Sequence, residues 1–97
     1  MRVVWSLQAQ LDLDAIYVFL DYVSSRKAFE TVNAIVLTAD ALGDFPLMGS
    51  VAEDSKHKGL RSLLEKPYRI YYRVKSDFVE IASVEDTRRG YQTDWLR

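Results

Sequence analysis

The second half of the chain alternates between apolar and polar positions. Tyr68, Ile70, Tyr72 and Val74 take one parity, and Arg69, Tyr71, Arg73 and Lys75 take the other. Successive side chains of a strand point to opposite faces, so this pattern predicts a half-buried strand with a basic and aromatic outer face. Lys75–Ser76–Asp77 then supplies a turn, because Ser and Asp bond their own backbone in tight turns. Phe78 to Val84 is apolar at more positions and predicts a more central strand. A preceding strand starts at Gly59–Leu60–Arg61, and the three make a meander over about 59–86. The chain leaves it through a charged exit at a sheet edge, Glu85 to Arg89.

The first half has a helical period. Ala9, Leu13, Ile16, Leu20 and Val23 recur at three- and four-residue spacing, which predicts a helix from Leu7 to about Val23. Ser6 stands where its hydroxyl can accept an orphan backbone N–H. Leu11, Tyr17, Val18, Phe19 and Tyr22 lie around and beyond that stripe. They read either as a broad packing face with aromatic residues at its rim or as a partner-binding surface. After a turn at Ser24–Ser25–Arg26, a second helix is predicted from about Lys27 to Leu42, with Ala28, Val32, Ile35, Val36, Ala39 and Leu42 as its stripe. Gly43 suits the C′ position and Pro46 blocks continuation. The short connection makes an antiparallel hairpin over about 7–43. Phe45, Leu47 and Met48 are expected to plug the space between hairpin and sheet. Arg2 to Trp5 reads as a first strand, Val51 to Lys58 as a polar loop, and 87–97 as a tail. The fold class is therefore α+β. An N-terminal strand precedes a helical hairpin packed on a mainly antiparallel sheet.

With 97 residues, a single domain over 1–97 is expected, large enough for one modest core and too small for a cofactor domain beside it. Thirteen Lys and Arg against fourteen Asp and Glu give a net charge of −1. That balance argues against a protein whose main work is nonspecific nucleic-acid binding. The absence of cysteine removes disulfides, thiolate metal sites and a cysteine nucleophile. No signal-peptide pattern opens the chain and no apolar run approaches a membrane span. His57 sits between Lys56 and Lys58 in a polar loop and reads as a solvated residue. Asp12 and Asp14 face different directions on a helix, and Gly43, Gly49 and Gly59 lack phosphate-loop spacing. Ser62 and Ser83 have no histidine placed to activate them. No cofactor and no metal are expected.

Several strings in order carry a resemblance. They are Val3–Val4–Trp5–Ser6 before the Asp14–Ala15–Ile16 helix, Asp44–Phe45–Pro46–Leu47–Met48–Gly49 after the hairpin, Gly59–Leu60–Arg61, Tyr68 to Tyr72, Val79–Glu80–Ile81, Val84, and Thr87–Arg88–Arg89. Together they resemble the RelE/ParE superfamily of bacterial type II toxin–antitoxin toxins over nearly the whole chain, with the ParE-like branch favoured. The resemblance implies a small cytoplasmic toxin that arrests growth, serves in plasmid stabilisation and is neutralised by a cognate ParD-like antitoxin. It also implies that the antitoxin, rather than the toxin alone, binds operator DNA.

Within the superfamily, RelE-like members cleave messenger RNA on the ribosome, whereas ParE-like members inhibit DNA gyrase. For cleavage the candidates here are Arg61, Arg69, Arg88 and Tyr91, as cations and acid around a phosphate. Two departures disfavour it. Leu63 stands where active RelE-like toxins commonly carry a second basic residue, and Asp86 stands where many members have histidine, beside Glu85. Carboxylates next to a phosphate repel it by about 1 kcal/mol per close pair in bulk water and by more when desolvated. The favoured expectation is a gyrase inhibitor rather than an enzyme, with Arg88, Arg89, Tyr91 and Trp95 as target contacts, since Arg, Tyr and Trp dominate interface hot spots. Tyr17, Phe19 and Tyr22 are the expected antitoxin contacts. The alternatives are a RelE-like ribonuclease and an inactivated toxin that only binds its antitoxin.

Overall fold

A computed structural model of the protein describes residues 1–52 and 58–89. Its elements are β1 (Arg2–Trp5), α1 (Leu7–Asp21), α2 (Ser25–Ala41), β2 (Ser50–Val51), β3 (Arg61–Glu65), β4 (Tyr68–Val74), β5 (Phe78–Asp86) and a 3₁₀ turn, Thr87–Arg89. The five strands form one sheet in the order β1-β5-β4-β3-β2. β1 runs parallel to β5, with Arg2 opposite Phe78 and Trp5 opposite Ile81. All other pairs are antiparallel. The α+β layout predicted from the pattern is the observed one.

Ser6 joins β1 to α1. Its backbone N–H donates to Ile81 O at 3.0 Å, which extends the β1–β5 ladder by one bond. Its hydroxyl donates to Ala82 O at 2.9 Å and accepts from Ala9 N at 3.1 Å, the helix cap expected from sequence. α1 then ends at Asp21, so Val23 falls in the interhelical turn and is exposed rather than part of the stripe. α2 starts at Ser25, two residues before the expected Lys27, because the Ser24 hydroxyl accepts from Lys27 N and caps the helix.

The core lies between the hairpin and one sheet face. Ala9, Ile35, Ala39 and Leu42 from the helices meet Tyr68, Ile70, Tyr72, Val79, Ile81 and Val84 from β4 and β5. Ala9, Ala28 and Ala39 are fully buried, and such small side chains let backbones approach closely. A bulge places the β5 residues. Tyr71 opposes Ser83 but Tyr72 opposes Ile81, so Ala82 is an extra residue. The bulge is why Ile81 and Val84, of opposite parity, both face the core. β5 is flanked by β4 and β1, but β1 ends at Trp5. Past Ile81 its open side is met by α1, where Asp12 Oδ2 accepts from Val84 N at 2.9 Å.

Two expectations here need correction, and a third, at Gly43, holds for a different reason. Phe45, Leu47 and Met48 do not plug the core; Phe45 is 63% and Leu47 68% exposed. The backbone of their loop is satisfied from beneath, which turns the side chains outward. The Tyr72 hydroxyl donates to Pro46 O and accepts from Gly49 N, both at 2.9 Å, and Arg61 Nη2 donates to Gly49 O at 2.8 Å. Gly43 does stand at C′, directly after the C-cap Leu42, but with no left-handed backbone; the need there is for space, since a Cβ would lie 2.5 Å from Met1 O. β3 begins at Arg61 rather than Gly59, whose φ of 80° belongs to a turn and not to a strand. The two-residue edge strand β2 was not legible in the pattern.

Candidate functional site

Three surfaces carry the residues singled out from sequence. The first is the sheet face turned away from the hairpin. Cross-strand partners share a face, so Arg69, Tyr71 and Arg73 of β4 lie with Ser62 and Leu64 of β3 and with Glu80, Ser83 and Glu85 of β5. Arg69 Nη1 donates to Ser62 Oγ at 3.2 Å. Arg73 pairs with Glu80 at 3.8 Å. The Ser83 hydroxyl is buried opposite Tyr71 with no hydrogen bond among the described residues. Burial raises the Tyr71 hydroxyl above its ordinary pKa, and the Glu85 carboxylate adds to the shift while Arg69 opposes it.

Arg61 does not join this face. It opposes Tyr72, on the core side, and its guanidinium holds the carbonyls of Leu47 and Gly49. Its buried Nε has no hydrogen-bond partner among the described residues. Arg61 therefore anchors a loop while Arg69 faces the other way.

The second surface is the exit from β5. Asp86 opposes Tyr68 on the core side, whereas Glu85 opposes Arg69 on the outer face, so the two carboxylates do not act on one phosphate site. Asp86 Oδ1 accepts from Arg88 N at 2.9 Å and Nε at 3.1 Å, and Oδ2 accepts from Nη2 at 3.0 Å. The side-chain bonds to Asp86 raise the pKa of the exposed Arg88 guanidinium. Thr87 ties the exit to the β3–β4 turn, its N–H and hydroxyl both donating to Pro67 O. Arg88 also lies 6.0 Å from the Tyr68 ring and borders a cleft of about 320 Å³ that reaches Lys27 and Thr31 of α2. Of the cleavage candidates, Arg61, Arg69 and Arg88 thus occupy three separate places. Tyr91 lies outside the described residues, as do Trp95 and His57, and of Arg89 only the backbone of the 3₁₀ turn is described.

The third surface is the outer side of α1. Tyr17, Phe19 and Tyr22 are exposed, Tyr22 most of all at 89%. Leu7, Leu11 and Val18 are exposed beside them. Leu7 was not singled out from sequence. The signal was available, since Leu7, Leu11, Val18 and Tyr22 repeat the helical period on the side opposite the buried stripe.

Residues 3–91 match the family model described as ParE toxin of type II toxin-antitoxin system, parDE. The chain belongs to the ParE toxin family. A solved chain described as "Chromosomal ParDE TA system from P. aeruginosa" is 30% identical to it, with a TM-score of 0.76. The likeness covers 91% of this chain and 97% of that one. No curated protein matches. Membership makes this a toxin of the type II toxin–antitoxin class, with an antitoxin as the partner such a system implies. Among the described residues of this ParE-family chain, no helix is long and apolar enough to cross a membrane.

Proposed function

We propose that this ParE-family toxin arrests growth in the cytoplasm by binding DNA gyrase, and that a ParD-like antitoxin neutralises it by docking on the outer side of α1. The observation that carries the target is the dispersal of the cations. Arg61 is bound to a loop on the core side, Arg69 lies on the outer sheet face, and Arg88 is clasped by Asp86 at the exit. Metal-free RNA cleavage needs acid, base and cations converging on one phosphate. That dispersal supports binding over cleavage. The target contacts are Arg88, Arg89, Tyr91 and Trp95, at and beyond the exit. The antitoxin contacts are Tyr17, Phe19 and Tyr22, whose exposed rings offer large apolar area at low entropic cost.

The Asp86–Arg88 clasp also favours a second reading, a toxin that keeps its antitoxin and has lost its effect on growth. Induction of the chain without antitoxin separates the two. Arrest with loss of gyrase supercoiling supports the first, and full growth supports the second. Arrest with intact supercoiling and cleaved messages would reject both.

A further inference from the structure

α1 is apolar on two sides. Ala9, Leu13, Ile16 and Leu20 pack toward the core, as one amphipathic stripe should. Leu7, Leu11, Val18 and Tyr22 form the second stripe, with Leu7 71% exposed. At about 100° per residue the two stripes lie on roughly opposite sides. Among the described residues, packing within the chain accounts for only one of them.

The charges on this helix have a single sign. α1 contains Asp12, Asp14 and Asp21 and no Lys or Arg. Asp12 is committed, because its carboxylate accepts from Val84 N and from Gln8 Nε2. Asp14 and Asp21, at i and i+7, border the outer stripe on the same side. Both are exposed, and neither takes part in an ion pair of the described residues.

We propose that the outer stripe receives a partner helix whose own apolar stripe is bordered on one side by Lys or Arg at i and i+7. The inference rests on the antitoxin reading above and names the chemistry of the segment that docks. A 15-residue helix offers a seam of about 22 Å at 1.5 Å per residue, so the partner segment is about four turns long. Basic residues along that border meet Asp14 and Asp21, and acidic ones are repelled, as flanking charges select partners in paired helices. The same charges disfavour a second copy of this chain. An antiparallel pairing of stripes running from Leu7 to Tyr22 is centred near Asp14, which brings the two Asp14 carboxylates together.

The test uses the full chain and two synthetic helical peptides. They share one leucine stripe and differ only in carrying Lys or Glu at the two border positions. The expected result is about tenfold tighter binding of the Lys peptide in low salt. That ratio should shrink at 1 M salt, where screening acts within about 3 Å, and invert in Asp14→Lys/Asp21→Lys. Leu11→Glu and Val18→Glu should abolish binding of both peptides. Equal affinities that the Asp reversals leave unchanged, with the stripe variants still failing to bind, would overturn the charge selection and leave the docking surface standing. Binding that survives Leu11→Glu and Val18→Glu, or no binding of either peptide, would overturn the docking surface itself. A concentration-dependent dimer in sedimentation, lost in Leu11→Glu, would make a second copy the occupant and overturn the proposal.

Discussion

Asp86 holds Arg88 by three hydrogen bonds, two to the guanidinium and one to the backbone N–H. The carboxylate turns a cation of the β5 exit back onto the chain's own turn, at the position where the resemblance to the superfamily leads one to expect histidine. Asp86→His frees Arg88 but leaves Arg61 beneath its loop and Arg69 on the opposite face. Ribosome-dependent cleavage should therefore not appear, as read by primer extension on messages after induction. New cleavage sites in that variant would show that the arginines need not converge.

The Tyr72 hydroxyl is the fastening of the exposed loop. Tyr72→Phe leaves the buried Gly49 N–H without its acceptor, which costs about 1–3 kcal/mol. Leu47→Ala removes an exposed side chain and should change stability by less than about 0.5 kcal/mol. Urea unfolding of both variants checks the contrast. A larger loss for Leu47→Ala would restore the plug expected from sequence.

The hairpin separates stability from binding. Ile35 is fully buried, and Ile35→Ala should cost about 2–5 kcal/mol. Tyr17→Glu and Tyr22→Glu change exposed residues and should leave the unfolding midpoint nearly unmoved. Both should weaken the antitoxin complex by tenfold or more, read by calorimetry. Unchanged affinity in both would remove α1 from the antitoxin interface.

Tyr71 makes stability fall in alkali. Its folded pKa is raised, first by burial and then by Glu85, so the folded state holds the proton more tightly than the unfolded chain. Its contribution is fully present below the unfolded value near 10 and is lost as pH rises through the folded value. Tyr71→Phe should flatten that part of the decline, measured as urea midpoints from pH 9 to pH 11. An identical slope in the variant would contradict the assignment.

The meander and hairpin were legible because their periods of two and about 3.6 are written in residues such as Ile70, Tyr72, Ile35 and Ala39. The bulge at Ala82 was not, because it depends on β4 pairing and on Ser6 reaching Ala82 O from 76 positions away. The loop at Phe45 misled for a related reason. Apolar residues there resemble a core plug until Tyr72 and Arg61 are seen holding its backbone. The cations of the sheet could be found in the sequence, but not that Arg61 and Arg69 face opposite ways, since that depends on the β3–β4 register, which sets Arg61 opposite Tyr72 and Arg69 opposite Leu64.

The most direct test of the account is a supercoiling assay with purified gyrase, this chain and its antitoxin. The chain alone should abolish supercoiling, adding antitoxin should restore it, and ribosome-bound messages should stay intact at the same concentration. Supercoiling that proceeds undisturbed while the chain arrests growth and messages are cut would contradict it.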